Sequence, residues 1–287
     1  MKSTVSVFLC AVAFGTPASA QSRTLNVGDA TINYESRGEG TALVLIHGWA
    51  QDLTIWSEQV PAFERHYRVI RYDRRGYGKS TGRADATRDP DDLRLLLDSL
   101  GVRSAILLGL SAGSRAALNF AVAYPDRVKA LVLYGQAVLP GFTPMPEGPT
   151  PVVVFREIAQ KQGLDSAGRA LMAHQLSWIP SDRPDVADRY RALWSTYSGK
   201  DLLDPQPESG RVPHANLDQL ATLRVPTLVV SGDHDLPVFI AVGDTLVRRI
   251  PGAQRLIIGN AGHGAHFARP TQFNDGILQF LQSHRKP

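Results

Sequence analysis

The chain has 287 residues, of which 43% are hydrophobic and 20% are charged, and its formal net charge is +4. These values are typical of a soluble globular protein that is large enough for one α/β domain. Its basic residues are scattered in pairs such as Arg74-Arg75 and Arg248-Arg249. A nucleic-acid surface needs a denser basic stripe, so we predict no nucleic-acid partner.

Residues 1–20 have the pattern of a secretory signal peptide. Lys2 precedes an apolar run over residues 5–14, and small residues stand at 18–20. That run is shorter than the ~20 residues of a membrane span. We therefore predict cleavage after Ala20 and a periplasmic or secreted mature protein without stable membrane insertion. Cys10 is the only cysteine of the chain, so the mature protein would contain neither a disulfide nor a cysteine nucleophile.

Strands and helices alternate along the next part of the sequence. Apolar runs and alternating patterns predict strands at residues 25–27, 31–37, 43–47, 68–72, 105–110 and 130–134. The first two form a predicted hairpin. Helices are predicted at 90–100, with Asp89 as the N-cap, and at 112–124. This alternation predicts a mostly parallel sheet with helices on both faces.

The pattern changes over residues 138–214, which we interpret as an inserted helical cap. Prolines and glycines separate amphipathic pieces, with helices predicted at 155–161, 166–176 and 185–194. The block is too long for a structureless loop in a compact domain. Its aromatic side chains are candidates either to line a substrate pocket or to fill the core of the cap: Trp178, Tyr190, Trp194 and Tyr197.

The strand pattern returns after this block. Strands are predicted at residues 227–231 and 255–258, and a last helix at 270–283. Segments 21–137 and 215–287 therefore form the predicted α/β core on either side of the cap.

Ser111 lies between a predicted buried strand and a predicted helix, in the sequence "GLSAG". A strained strand-to-helix turn lifts a serine out of the sheet, and small neighbours such as Gly109 and Gly113 permit it. Backbone amides and the helix dipole at such a position favour a developing negative charge. The context predicts a nucleophile, whereas a chance match would leave Ser111 as a small residue in a packing bend.

A serine hydroxyl needs a neighbouring base, and that base needs an orienting carboxylate. The segments "SGDHD" and "NAGHGAH" each follow a predicted strand, so both are expected at the carboxyl edge of the sheet, where ligands bind. They provide Asp233 and Asp235 as candidate acids and His263 and His266 as candidate bases. The order serine, aspartate, histidine is the order expected of one particular fold.

These motifs together resemble the α/β-hydrolase family, especially its capped serine esterases and cofactor-free haloperoxidase-like members. The resemblance extends over about residues 31–281 and rests on "HGW", "YDRRGYGKS", "GLSAG", "VPTLVVSGDHD" and "AGHGAHFARPTQFN". It implies an α/β-hydrolase fold with a mostly parallel sheet of about eight strands and a helical cap inserted after the sixth strand.

The resemblance also implies a catalytic triad of Ser111, His263 and Asp235. The family pattern places the acid three residues after a glycine, here Gly232. Asp233 is the alternative acid, and its other expected role is to cap the turn.

His266 is the alternative base, and it is otherwise expected to form a pocket wall or to hold the turn. The implied oxyanion hole consists of the backbone N–H groups of Trp49 and Ala112. His47 is expected to support that loop through hydrogen bonds without taking part in the chemistry.

The resulting expectation is an exported serine hydrolase that cleaves small carboxylic esters through an acyl-enzyme. No metal or organic cofactor is implied, and the spacing of His263 and His266 does not favour a metal site. A serine at position 111 disfavours chemistry that needs a carboxylate nucleophile. The alternatives are perhydrolysis of the haloperoxidase type, hydrolysis of lactones, amides or C–C bonds, and a hydrolase-like small-molecule receptor. The natural substrate and the oligomeric state are left open.

Overall fold

The computed structural model describes residues 22–136, 138–143, 149–205 and 214–284. In these ranges eight strands form one sheet, in the order β1-β2-β4-β3-β5-β6-β7-β8. The strands are β1 (Arg23–Asn26), β2 (Thr31–Arg37), β3 (Ala42–Ile46), β4 (Arg68–Tyr72), β5 (Ala105–Leu110), β6 (Val128–Tyr134), β7 (Thr227–Gly232) and β8 (Gln254–Ile258). Strand β2 pairs antiparallel with β1 and β4, and the other neighbours are parallel, which confirms the predicted fold class.

The helices lie on both faces of this sheet and in the segment between β6 and β7. They are α1 (Val60–Phe63), α2 (Asp89–Ser99), α3 (Ala112–Ala123), α4 (Pro151–Gln162), α5 (Leu164–Ala173), α6 (Val186–Thr196), α7 (Lys200–Leu203), α8 (Pro237–Arg249), α9 (Ala265–Ala268) and α10 (Pro270–Ser283). Helices α4 to α7 follow the sixth strand, as predicted for the cap.

The central strands are apolar because both of their faces are covered. Every residue of β3 and β5 is buried. Helices α2, α3 and α8 contribute to the apolar cluster on one face, and α1 and α10 contribute to the cluster on the other. This packing fixes the carboxyl ends of the parallel strands, where the loops with the candidate site residues begin.

The predicted N-cap role of Asp89 is wrong. Helix α2 begins at Asp89 itself, and the preceding residue Arg88 makes no side-chain cap. The carboxylate of Asp89 is buried and lies 2.6 Å from Nη2 and 3.1 Å from Nε of Arg74. The carboxylate of Asp89 is therefore engaged by Arg74, 15 residues earlier in the chain, and does not cap the helix.

Helix α8 was not predicted from the sequence. Its first half contains Val238, Phe239 and Ile240, residues that are as common in strands as in helices. Pro237 at the first helical position, which presets a helical φ angle, was the available signal for a helix start. The first turn of helix α4 also contains residues typical of strands, because its three consecutive valines, 152–154, are helical.

The predicted signal peptide lies outside the described residues, as do residue 137 and the parts of the predicted cap at 144–148 and 206–213. The boundaries of the cap at 138 and 214 stay a prediction. None of the helices in the described ranges combines the length and the apolar character needed to cross a bilayer.

Candidate active site

Ser111 lies on a strained turn between β5 and α3. Its φ angle is 55°, a left-handed value that a residue with a side chain adopts at a cost of ~1–3 kcal/mol. The Ser111 N–H donates to the carbonyl of Tyr134 at the end of β6, 2.8 Å away. The turn is therefore held by the neighbouring strand, and strain of this kind is common where a functional side chain is presented.

The glycines on either side of Ser111 are required by close backbone contacts. A Cβ atom on Gly109 would lie 2.2 Å from the carbonyl oxygen of Gly113. A Cβ atom on Gly113 would lie 2.3 Å from the carbonyl oxygen of Ile46 in β3. The hydroxyl of Ser114 is accommodated because it donates to the Ser111 carbonyl at 2.8 Å. The sequence pattern "GLSAG" thus reflects packing of the turn against two strands.

His263 and Asp235 meet in the loops that follow β8 and β7. Both are buried, and Nδ1 of His263 lies 2.9 Å from Oδ2 and 3.1 Å from Oδ1 of Asp235. Oδ1 also accepts the N–H of Leu236 at 2.7 Å. A carboxylate can only accept, so Nδ1 carries the proton and Nε2 of the neutral ring is left with a lone pair. This is the tautomer that a general base requires.

The other candidate acid, Asp233, lies in the same turn but faces away from His263. Its carboxylate accepts the N–H groups of Asn260 and Ala261, each at 3.0 Å, and lies 2.8 Å from Nδ1 of His234. Partial burial raises the pKa of Asp233, but these hydrogen bonds outweigh it and hold that pKa below its usual value. Asp233 therefore ties the loop after β7 to the loop after β8.

The other candidate base, His266, lies in the core beneath the site. It packs against Trp56, Tyr134 and Phe273, and its Nδ1 is 3.2 Å from the Tyr134 hydroxyl. Burial is the main cause that lowers the pKa of His266 to about 3, and the nearby His263 adds to it. His266 is thus a neutral core residue that holds the turn, the second of its two expected roles.

The loop after β3 brings Trp49 beside the serine turn. A Cβ atom on Gly48 would lie 3.3 Å from Cβ of Ser111, so the two loops are in contact. The Gly48 N–H donates to Oε1 of Gln51 at 2.8 Å. Ala112 is the first residue of α3, so its N–H has no acceptor within the helix. The two residues predicted to supply the oxyanion donors, Trp49 and Ala112, therefore lie in segments that meet at Ser111.

His47 joins this loop to the loop after β4. Its Nε2 accepts the backbone N–H of Arg74 at 2.8 Å, so Nδ1 carries the proton and donates to the carbonyl of Gly48 at 2.8 Å. Complete burial, aided by the charge of Arg74, lowers the pKa of His47 to about 3. The ring stays neutral and supports the loop, as expected from the sequence.

A cavity of about 950 Å³ opens at the carboxyl edge of the sheet, between the core and the cap. Trp49, Ser111, Ala112 and His263 line its core side. The cap contributes residues such as Leu171, Tyr190 and Trp194. A space of this size suits a small organic ligand. Among the residues that the structure describes, no three His, Cys, Asp or Glu side chains cluster as metal ligands would.

The contacts between the cap and the site loops were not foreseen from the sequence. Trp178 stacks on His234 at 4.2 Å between ring centroids. The Tyr190 hydroxyl lies against Gly264, where an added Cβ atom would be 2.3 Å away. Asp201 accepts a hydrogen bond from the indole of Trp49 at 2.8 Å. A motif search cannot reveal these partners, because no local pattern marks a residue that meets another across a cavity.

Comparisons with known proteins agree with this architecture. A family pattern described as "alpha/beta hydrolase fold" matches residues 41–270. The 2-hydroxy-6-oxononadienedioate/2-hydroxy-6-oxononatrienedioate hydrolase of Burkholderia vietnamiensis is 31% identical, over 92% of this chain and 96% of that protein.

Two solved structures are similar over nearly the whole chain. The enol-lactonase of Burkholderia xenovorans has a TM-score of 0.74 at 25% identity, over 91% of this chain and 100% of that one. The bromoperoxidase of Bacillus anthracis has a TM-score of 0.75 at 26% identity, over 92% of this chain and 100% of that one. The chain therefore belongs to the α/β-hydrolase fold family, and its fold and its relatives are those of a hydrolase.

Proposed function

We propose that this chain is a serine-dependent hydrolase that attacks the carbonyl carbon of a small substrate through Ser111. The observation that carries the proposal is the strained turn that holds Ser111 at φ 55°, at the N-terminus of α3 and in the same cavity as His263. The Asp235–His263 pair supplies the base that a serine hydroxyl needs.

The proposed reaction has two halves. Oγ of Ser111 attacks the carbonyl carbon while Nε2 of His263 takes its proton, and the N–H groups of Trp49 and Ala112 hold the resulting oxyanion. The leaving group departs with the proton from His263, which leaves an acyl-serine. Water then attacks the acyl-serine, passes a proton to His263, and releases the acid as the proton returns to Ser111. Asp235 stabilises the protonated His263 in both halves.

The substrates that we propose are carbonyl compounds whose leaving group is an enolate, which His263 protonates as it departs. The enolate can leave from carbon, when a C–C bond beside a ketone breaks, or from oxygen, when an enol lactone opens. The support is the names of the relatives, which are a hydrolase of a hydroxy-oxo-diene acid and an enol-lactonase. The cavity between core and cap is large enough for either kind of molecule.

Simple carboxylic esters are the second candidate substrates, because the same serine chemistry opens them. A kinetic panel with an enol lactone, a hydroxy-oxo-dienoate and p-nitrophenyl acetate separates the candidates. We expect kcat/KM for an enolate-releasing substrate to exceed that for the ester by at least about 10-fold, or ~1.4 kcal/mol. The reverse order would instead select the ester hydrolase, and bromination with acetate and peroxide would select perhydrolysis.

The nucleophile is tested with Ser111→Ala. We expect hydrolysis to fall at least about 10⁴-fold and labelling by a fluorophosphonate to disappear. Ser114→Ala is the matched control, since Ser114 is three residues further on and only donates to the Ser111 carbonyl. An active Ser111→Ala variant would overturn the proposal, and a wild-type protein that fails to label would favour the receptor alternative.

We also propose that the protein is exported and that its first twenty residues are removed. The support is the order of Lys2, the apolar run at 5–14 and the small residues before position 21. N-terminal sequencing of the protein from a native host tests this. A mature chain that begins at Gln21 is expected, and a chain that retains Met1 in the cytoplasm would contradict it.

A further inference from the structure

Trp49 has its backbone at the serine turn and its side chain inside the cap. The indole N–H donates to Oδ2 of Asp201, on α7, at 2.8 Å. The indole ring stacks on Phe155 of α4, with 6.0 Å between centroids and 5° between planes. It meets Trp194 and Tyr197 edge-on at 6.3 and 5.9 Å. One residue thus connects the proposed oxyanion loop to three helices of the cap and the residue that follows α6.

Asp201 is the charged centre of this arrangement. Its Oδ1 accepts the hydroxyl of Tyr197 at 2.5 Å, and its Oδ2 accepts the hydroxyl of Tyr77 at 3.3 Å in addition to the indole of Trp49. Tyr77 follows β4 in the core, whereas Asp201 and Tyr197 belong to the cap. Hydrogen bonds to an ionised carboxylate are stronger than those between neutral groups. The carboxylate of Asp201 therefore links the indole of Trp49 to Tyr77 of the core and to Tyr197 of the cap.

We propose that Asp201 is a positioning residue that sets the backbone N–H of Trp49 for the oxyanion through the hydrogen bond to the indole. The inference rests on the proposed function, because it assumes that an oxyanion forms beside Ser111. An oxyanion donor is effective only at 2.7–3.1 Å from the atom that becomes charged. A residue whose side chain is held by two oriented contacts, the stack on Phe155 and the bond to Asp201, has little freedom to move its backbone.

The indole N–H can only donate, so its hydrogen bond needs an acceptor at position 201. An Asn would retain one, because its NH2 group can donate to the Tyr197 hydroxyl while its carbonyl oxygen faces the indole. Asp201→Ala removes the acceptor and is therefore expected to release the indole. We expect kcat to fall about 10- to 100-fold while KM changes less than about 2-fold. A trifluoromethyl ketone, which forms a tetrahedral adduct with its oxygen in the oxyanion site, should bind more weakly by the same factor as the fall in kcat/KM.

Trp49→Phe identifies the path of the effect, because it removes the indole N–H and retains a ring against Phe155. We expect Asp201→Ala to change kcat by less than about 2-fold in the Trp49→Phe background, since a shared path makes the two effects non-additive. Asp165→Ala, at an exposed aspartate on α5, is the control for lost charge in the cap. It is expected to leave the kinetics unchanged.

A substrate-binding role of Asp201 would raise KM and leave kcat intact, and that result would overturn the inference. An undiminished effect of Asp201→Ala in the Trp49→Phe background would overturn it as well. If Asp201→Ala does not fold, Tyr197→Phe removes one of the donors that orient the carboxylate and is expected to lower kcat in the same direction. Ser111→Ala separates a failure of the proposed function from a failure of this inference. An active Ser111→Ala variant overturns the proposed function, whereas an inactive one together with an Asp201→Ala variant of unaltered kinetics overturns only the role of Asp201.

Discussion

The α/β core and the cap hold their residues in different ways. In the core, the positions around Ser111 are set by backbone contacts so close that Gly109 and Gly113 tolerate no Cβ atom. In the described part of the cap, the apolar cluster contains three buried residues: Ala159, Ala167 and Leu202. Partly buried aromatic side chains pack against this cluster. Trp194 and Tyr197 belong to the cap, whereas Trp49 comes from the core.

This difference indicates that the core and the cap contribute to function in different ways. A dense core resists small displacements and can hold the Ser111 turn and the Asp235–His263 pair in fixed positions. A cap whose own apolar cluster has few buried residues changes shape at lower cost, so its residues suit the selection of substrates. We therefore expect substitutions in the core to change the chemical step or the stability. Substitutions in the cap are expected to change which substrate is accepted, except at Asp201, which acts on the core loop through Trp49.

The largest effect is expected from Asp235→Asn. The amide would favour the wrong tautomer of His263, and kcat/KM should fall about 10⁴-fold without loss of the fold. Asp233→Asn, two residues earlier in the same turn, is the matched variant. It should lower kcat/KM less than about 10-fold, because Asp233 holds the backbone of Asn260 and Ala261 and not the ring of His263. A larger loss in Asp233→Asn would reverse the assignment of the acid.

The next effect is a loss of stability of the core in acid. The pKa of His47 and of His266 is lowered from 6.5 to about 3 by burial. Between pH 6.5 and 3 the unfolded chain therefore binds protons that the folded chain does not. The free energy of unfolding should fall as the pH drops below 6.5, by about 2 kcal/mol per histidine at pH 5. Urea unfolding at pH 8 and pH 5 measures this.

His266→Phe should remove about half of that pH dependence, whatever its effect on the stability at pH 8. His174 of the cap is the comparison, because its pKa is also lowered by burial but the side chain is only partly buried. Replacement of His174 by Asn should leave the slope nearly unchanged. An equal change of slope in both variants would contradict the contrast between core and cap.

The smallest effect is expected from the cap variant Leu171→Phe. Leu171 lines the cavity on α5, and a larger ring would reduce the space for the acyl group. We expect the ratio of kcat/KM for long against short acyl groups to fall about 10-fold, while the rate of fluorophosphonate labelling stays the same. Arg169→Lys, exposed on the same helix, is the control. A change in labelling with no change in the ratio would place Leu171 in the chemistry instead.

Much of the core could be predicted because its signals are local. Buried parallel strands leave apolar runs, and the strained turn leaves glycines two residues on either side of Ser111. Helix α8 escaped prediction because its apolar residues also suit a strand, and Asp89 was misassigned because its partner Arg74 is distant in the sequence. Local patterns cannot show which of two competing roles a side chain takes.

The sequence by itself determined the alternation of strands and helices, the candidate nucleophile, and the order Ser111, Asp235, His263 along the chain. Only the tertiary structure decided that Asp235 and not Asp233 faces His263. Both aspartates follow β7, but their hydrogen-bond partners lie in the loop after β8, which is distant along the chain. It also decided that Trp49 meets Asp201, 152 positions away. The physical reason is the same in both cases: a hydrogen bond depends on where folding brings two atoms, and no spacing along the chain encodes that distance.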